Sequence, residues 1–434
     1  MSLNTWDVWN EKIHKKTLEI KEIVDKKRNE KNIIKSSLYP FEILKSKIID
    51  TISSSISFNG EIDIRFISRK KIGEDVAIRI PKLLKKESPK VYIKEIAPKI
   101  VLALEKLIEI KRIVQKGIYV NLILSDEFFF TCLTSVDKFG NRYGESDYLK
   151  KSNVVVDYSS PNVAKRLHAG HIRSTIIGHV LSNIYEALGA TVYRVNHIND
   201  IGGFGYLIEG YLRWNNTFIV SQPSEKLIKV YELWRKFEKI SKHDPFKEFT
   251  KEENLLMRTY LGSCLNFSDF LEKFEDFVNA SNKRFANLEN GEKEEIELWK
   301  QMVSWSLNDF QSFYNLLNIN IDFIIGENFY ALNGVRLLNN KIEEGLAIEF
   351  SKEKAEKELK VSVEQLKNEE ISDEEYAKQV EGINRDIGAI IIPLENRERY
   401  VALRSDKRTI YATRDLYCVK YRVETFNASR VVYV

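Results

Sequence analysis

The sequence predicts an α/β chain: a mostly parallel sheet carrying long helical insertions, preceded by a small α+β domain. Three observations lead there. Residues 153–197 hold a β-branched run, a helical stretch and a second β-branched run, the size of one parallel strand–helix–strand unit. Short apolar runs return at 389–394, 399–405 and 429–434, after a long region that no Gly or Pro punctuation splits cleanly. The first third differs in kind, mixing alternating runs with helical ones.

Size and composition bound the reading. A chain of 434 residues suggests two or three domains. It is 43% hydrophobic and 30% charged, as soluble globular proteins are. No apolar run approaches a membrane span, and the start "MSLNTWDVWNEKIHKK" lacks the apolar stretch of a secretory signal. Three scattered cysteines, Cys132, Cys264 and Cys418, imply neither a disulfide framework nor a zinc site. The expected setting is the reducing cytoplasm, with no membrane partner. Net charge is +4, but residues 1–150 carry 29 Lys and Arg against 21 Asp and Glu, and the remainder 38 against 42. A basic first third points to a polyanion, or to a Lys-rich composition with solvated faces.

Along the chain, residues 5–35 read as a charged helix with a stripe of Leu18, Ile20, Ile23 and Val24. "EIDIRFIS" (61–68) and "YVNLILS" (119–125) alternate or run apolar as strands do, and "IKEIAPKIVLALEKLIEIKRIV" (93–114) reads as one helix. "DKFGNRYGESDYLKKSN" (137–153) is a polar, glycine-containing linker. The domains expected are therefore 1–150 and 151–434, with helical insertions at about 210–320 and 351–384. In the second domain "NVVVDYSS" (153–160) is a buried strand that Pro161 ends. Ile172, Ile176, Ile177, Val180, Leu181, Ile184 and Leu188 then recur at helical spacing, and Gly189 stops the helix. "ATVYRVNH" (190–197) is the next strand. Further on, "TIYATRDLYCVKYRVETF" (409–426) reads as a strand running into a helix, and "SRVVYV" as a last core strand.

The chemistry concentrates in "DYSSPNVAKRLHAGHIRSTIIG" (157–178). Four of the six histidines, His168, His171, His179 and His197, fall within one short stretch. His168 and His171 sit at the mouth of a helix, flanked by Arg166 and Arg173 rather than by carboxylate or cysteine partners. That favours an anion over a metal. A helix mouth offers unpaired amides and the positive dipole end, a ready phosphate site. Gly170 lets a ligand approach the backbone, and two imidazoles can stabilise charge that builds in phosphoryl or nucleotidyl transfer. An ordinary capped helix with surface histidines is the alternative. His179, in mid-helix, reads as structural.

"HAGH" resembles the His-x-Gly-His signature of class I aminoacyl-tRNA synthetases. Around it, "SSPNVAKRLHAGHIRSTIIG" and "ALGATVYRVNHINDIGGFG" resemble arginyl-tRNA synthetases, as do "LWKQMVSWSLNDFQSFYNLLNINIDF", "GENFY" and "LRSDKRTIYATRDLYCVKYR". The resemblance runs in order from about 153 to the last residue and is weaker before 150, where that family has an additional N-terminal domain. It implies a Rossmann-like class I synthetase catalytic domain. The implied activity joins L-arginine to tRNA(Arg) with ATP, and Mg²⁺ accompanies the nucleotide. The implied state is a monomer.

The resemblance also assigns residues. His168, Gly170 and His171 would bind ATP, with His168 and His171 stabilising the α-phosphate in the transition state. Lys165 would act as the cation that another family signature supplies elsewhere. Asp415 would read the guanidinium, which needs a planar carboxylate partner. Tyr411, one helical turn earlier, would pack on the substrate. Asp157 and Asn162 would hold the amino acid, Asn162 at its α-amino and carboxylate end. His197, with Asp200, follows the second strand, where it would line the arginine site. The "NDIGGFG" block is shorter than in many relatives and lacks their tryptophan and glutamine. The family continues past the position of Val434 with an ATP loop and an anticodon-binding helical domain, both expected to be absent from this chain. Catalysis by the chain alone is then in question, and a non-catalytic arginine- or nucleotide-binding paralogue stands as the alternative.

Overall fold

The computed structural model describes residues 5–56, 61–67, 73–80, 89–244, 248–264, 266–394 and 399–434. The chain divides into two compact units. The smaller holds residues 30–151 and 185–190; the larger holds 1–29, 152–184 and 191–434.

The smaller unit is an antiparallel sheet with helices. Its strands run in the order Asp63–Phe66, Val76–Arg79, Tyr119–Leu124, Ile110–Lys116. The helix Pro40–Ser55 buries Leu44, Ile48 and Ile52, a stripe at helical spacing, in a core with Val76, Ile78, Val120 and Leu122. The single helix expected over 93–114 is in fact two elements. A helix ends at Leu104, and Ile110–Lys116 is a strand. Tertiary pairing decides this. Lys116 faces Tyr119 across a tight turn in which Gly117 takes φ 60°, and the hairpin ladder outweighs the local helical pattern.

The first helix, Thr5–Glu30, belongs with the larger unit up to residue 29, whereas 1–150 was expected to form one domain. Its inward residues are Trp6, Asn10 and Thr17, with Ile13, Ile20 and Val24 against the core. Of the stripe read from sequence, Leu18 and Ile23 lie exposed.

The larger unit is built on a four-stranded parallel sheet in the order Arg430–Tyr433, Asn153–Asp157, Thr191–Ile198, Phe323–Gly326. The β-branched runs form the strands because both faces are covered, so nearly every residue of Asn153–Asp157 and Thr191–Ile198 is buried. The helix Ala169–Ala187 crosses between these two strands. Among the described residues, five helices fill the first insertion: Phe204–Trp214, Pro223–Ile240, Lys251–Tyr260, Phe267–Glu289 and Lys293–Leu316. They share an aromatic core of Trp214, Phe237, Phe270, Phe277 and Trp299. The second insertion is a helical hairpin, Lys352–Lys367 and Asp373–Asp386, beside a small antiparallel sheet of 348–349, Ile390–Pro393 and Arg399–Leu403. The strand expected to run straight into the helix Tyr411–Phe426 is not there; residues 404–410, between it and Arg399–Leu403, are turn and extended chain.

The helix Ala169–Ala187 presents the sheet with small residues, not with its large apolar ones. Thr175, Gly178 and Ser182 are buried. Ile172, Ile176, Ile177, Val180 and Ile184 are exposed. The reason is distance: a Cβ on Gly178 would lie 2.2 Å from the Tyr158 Cβ, so only a glycine lets the helix settle on the end of the strand.

Candidate active site at the carboxyl ends of the parallel strands

Topology gathers the chemistry at one edge of the sheet. Asp157 closes the first parallel strand, and Asp200 follows Thr191–Ile198 by two residues. Glu327 follows Phe323–Gly326 directly. The helix Tyr411–Phe426 leads into the strand Arg430–Tyr433, so its first turn lies at the same end. Ligands bind there in open sheets of this kind.

At the mouth of Ala169–Ala187 the two histidine rings lie 4.0 Å apart. His168 Nδ1 accepts the Gly170 N–H at 3.2 Å, and His171 Nδ1 accepts the His168 N–H at 3.2 Å. With both Nδ1 atoms accepting, each neutral ring carries its proton on Nε2, free to donate outward. Burial, then His168 and Lys165, lowers the pKa of His171 and favours that neutral form. Gly170 is exposed, and a Cβ there would press on the His168 ring at 3.0 Å. The Lys165 ammonium sits 5.0 Å over the Tyr231 ring, a cation–π contact that holds it beside the turn. Asn162 is half-buried and bridges to Asn199 in parallel fashion.

Two arginine–carboxylate pairs flank the strand ends. Arg422 is fully buried, with Nη1 2.9 Å from Asp157 Oδ2. The other Asp157 oxygen accepts the His197 N–H at 3.3 Å. Asp157 is thus enclosed by the protein itself, which fits a carboxylate that orders the site better than one that meets substrate. Burial, against Arg422, raises its pKa. His197 lies between Cys418 Sγ at 3.7 Å and Arg422 Nη2 at 3.5 Å, with its ring 5.1 Å from Tyr330. Burial, with Arg422 and Arg414 adding, drops its pKa to about 3, so this imidazole is neutral.

The second pair joins Arg414 to Glu327. Around it the acids outnumber the bases. Burial, with Arg414 opposing and Asp415 adding, pushes Glu327 up to about 7. Asp200, fully enclosed, is likewise pushed up to about 7 by burial and accepts the Asn328 N–H at 2.9 Å. Asp415 is exposed, and among the described residues it has no ion-pair partner; partial burial raises its pKa. Tyr411, 64% exposed, lies one turn before it, with the Arg414 guanidinium 4.9 Å over its ring.

The residues read from sequence therefore fall into two groups, His168, Gly170, His171 and Lys165 at the helix mouth and Asp157, His197, Asp200, Tyr411 and Asp415 around the two arginines, with Asn162 on the turn ahead of the helix, bridged to Asn199. Glu327, Arg414, Arg422 and Tyr330 escaped sequence reading. For Glu327 a signal was present: an acid directly after the glycine that ends a short apolar run, within "GENFY".

A parallel sheet whose first crossover helix opens on a histidine pair is the architecture of the class I synthetases. Residues 134–350, half of the chain, match the family model described as tRNA synthetases class I (R), catalytic domain, and the chain belongs to this family. The arginine–tRNA ligase of Clostridioides difficile is 30% identical over 398 residues, covering 90% of this chain and 56% of that protein. That of Halothermothrix orenii is 29% identical, covering 90% and 58%. The chain thus spans a little over half the length of these curated relatives. Two solved structures share its fold. Arginyl-tRNA synthetase from Plasmodium falciparum has a TM-score of 0.53 at 19% identity, over 90% of this chain and 58% of that one. The Thermus thermophilus enzyme has 0.54 at 15%, over 88% and 53%.

Proposed function

We propose that this chain carries the arginine-activating site of an arginine–tRNA ligase. The observation that supports it best is the surplus of acid around Arg414. Asp415 is unpaired among the described residues, beside Glu327, at the carboxyl end of the sheet. A guanidinium is the cation that fits two neighbouring carboxylates, because its planar fork meets each with parallel hydrogen bonds.

In this reading Asp415 and Glu327 take the guanidinium of L-arginine and Tyr411 packs along its stem. Asn162 holds the α-end. Asp157, through Arg422 and the His197 amide, fixes the floor of the site. ATP, with its Mg²⁺, lies over Gly170 at the helix mouth. The Nε2–H groups of His168 and His171 donate to the phosphates, and Lys165 adds a positive charge. A carboxylate oxygen of arginine attacks the α-phosphorus, pyrophosphate leaves with the electron pair of the broken P–O bond, and arginyl-adenylate results. The arginyl group then passes to the terminal adenosine of tRNA(Arg). Positioning and electrostatics carry the rate, with no covalent enzyme intermediate. The basic residues of 1–150 contact the tRNA backbone, an attraction that weakens steeply with salt. The chain works as a monomer in the cytoplasm. Among the described residues no helix is long and apolar enough to cross a membrane.

Calorimetric titration of the chain with L-arginine, L-lysine and L-citrulline tests this. Arginine is expected to bind, with lysine and the uncharged citrulline far weaker. Citrulline binding as tightly as arginine would sink the assignment of Asp415 and Glu327.

A further inference from the structure

The turn that leads to the histidine pair is strained. Ser159, Ser160 and Ala164 all take positive φ, at 76°, 46° and 61°. None is a glycine, and a Cβ in that region crowds the neighbouring carbonyl. Three such residues within six positions do not persist unless their surroundings hold them.

The surroundings come from the first helical insertion and from the end of the strand Thr191–Ile198. Tyr314 and Ser306 both sit on the helix Lys293–Leu316 and are buried, at 1% and 4% exposure. The Tyr314 hydroxyl lies 2.7 Å from Ser159 Oγ and accepts from Asn196 Nδ2 at 3.0 Å. Asn196, fully buried, turns its Oδ1 to accept the Ser160 N–H at 3.1 Å. Two turns earlier on the helix, Ser306 Oγ accepts the Ala164 N–H at 3.3 Å. Each strained residue is therefore held by its own hydrogen bond, at both ends of the turn. Between them the chain is pinned to Asn199, whose N–H donates to Pro161 O at 3.0 Å and whose O accepts from Val163 N at 3.1 Å. Lys165 follows immediately and His168 three residues later.

We propose that Tyr314 and Ser306 are positioning residues that lock this strained turn, and that the lock presents Lys165, His168 and His171 to the nucleotide. The proposal rests on the arginine–tRNA ligase reading for the identity of the ligand. The insertion, which touches neither reactant in that reading, then sets ATP affinity through one buried helix. Without the lock the turn relaxes to ordinary φ values and carries the histidines away from the phosphates.

The test uses the full chain and four variants: Ser306→Ala, Tyr314→Phe, Ala164→Gly and the double Ala164→Gly/Ser306→Ala. Mg·ATP and L-arginine affinities are read by calorimetry, amide exchange of 163–172 by mass spectrometry, and Tm by thermal unfolding. Ser306→Ala and Tyr314→Phe are expected to weaken ATP binding about tenfold and to speed exchange in 163–172, with arginine affinity nearly unchanged. Ala164→Gly is expected to restore both in the Ser306→Ala background, because glycine takes φ 61° without a Cβ to strain. A purely structural role predicts lower Tm with no rescue by glycine, and that result overturns the proposal. Faster exchange with unchanged ATP affinity overturns its link to the nucleotide, and unchanged exchange overturns the lock. A wild-type chain that binds arginine but not ATP defeats the nucleotide assignment, whereas one that binds neither defeats the ligase reading itself.

Discussion

Arg422 and Arg414 stand two helical turns apart on one helix, and their surroundings differ in charge balance. Arg422 is fully buried beside one carboxylate, Asp157, with Tyr330, Cys418 and Tyr433 completing the shell. Within ion-pair distance one cation meets one anion. Arg414 pairs with Glu327 and acts at longer range on Asp200 and on Asp415, which Arg422 also reaches; Glu327 and Asp200 are pushed up to about 7. In the ligase reading proposed above, that excess of acid is what the guanidinium of arginine would meet. Charge balance, more than burial, distinguishes the surroundings of the two arginines.

The largest loss is expected at Arg422. Arg422→Met leaves Asp157 enclosed and unpaired and is expected to cost about 3–5 kcal/mol of stability in denaturant unfolding. The double Asp157→Asn/Arg422→Met should regain a good part of that. If Arg422→Met unfolds like the parent chain, the pair is not the structural one. At the other arginine the loss should fall on binding instead. Asp415→Asn is expected to cost at least about 2 kcal/mol of arginine affinity, as a broken charge-assisted contact does, with Tm nearly unchanged.

Glu327 sharpens the contrast through pH. Its carboxyl sits near 7 because burial outweighs Arg414, so near neutrality it must release a proton to accept a guanidinium. Arginine affinity should rise about tenfold between about pH 6 and about pH 8, then level. Glu327→Gln should flatten that profile; a slope that survives the substitution belongs to another group. Asp200 tests the surplus without ligand. Its folded pKa lies above the unfolded value, so its contribution to stability is present at low pH and lost as pH rises through about 7. Asp200→Asn keeps an acceptor for the Asn328 N–H, and its Tm should gain on the parent chain as pH rises from about 5.5 to about 8. A constant difference would show that Asp200 is ionised throughout. The smallest effect is expected at Tyr411, which is mostly exposed. Tyr411→Phe should weaken arginine by about 1 kcal/mol, read in the same titration, and leave Tm alone.

Much of the architecture is legible in the residues. β-branched runs at 153–157 and 191–198 become neighbouring parallel strands because they must be buried on both faces, and Gly189 ends the helix between them at φ 94°. The helix mouth at His168–Gly170–His171 follows from local chemistry alone, since a glycine and two imidazoles ahead of an apolar run need no distant partner to be recognised. So does the family, whose ordered blocks are a property of sequence.

What the tertiary structure decided is where distant groups meet. Sequence spacing gives Asp157 and Asp415 the same kind of carboxylate. Only the packing of Tyr411–Phe426 against the sheet gives one of them Arg422 and leaves the other without a partner among the described residues. Periodicity marks Ile172, Ile176 and Val180 as an apolar stripe, yet the sheet takes Thr175, Gly178 and Ser182, and at Gly178 Tyr158 stands too close for any side chain. The strain at Ser159, Ser160 and Ala164 is invisible in "SSPNVA", since none of those residues favours positive φ by itself. Distant neighbours hold it: a helix from an insertion more than a hundred residues away bonds Ser159 and Ala164, and Asn196 of the next strand bonds Ser160. Local patterns report what a segment can become; burial, charge pairing and strain depend on neighbours that only folding brings together.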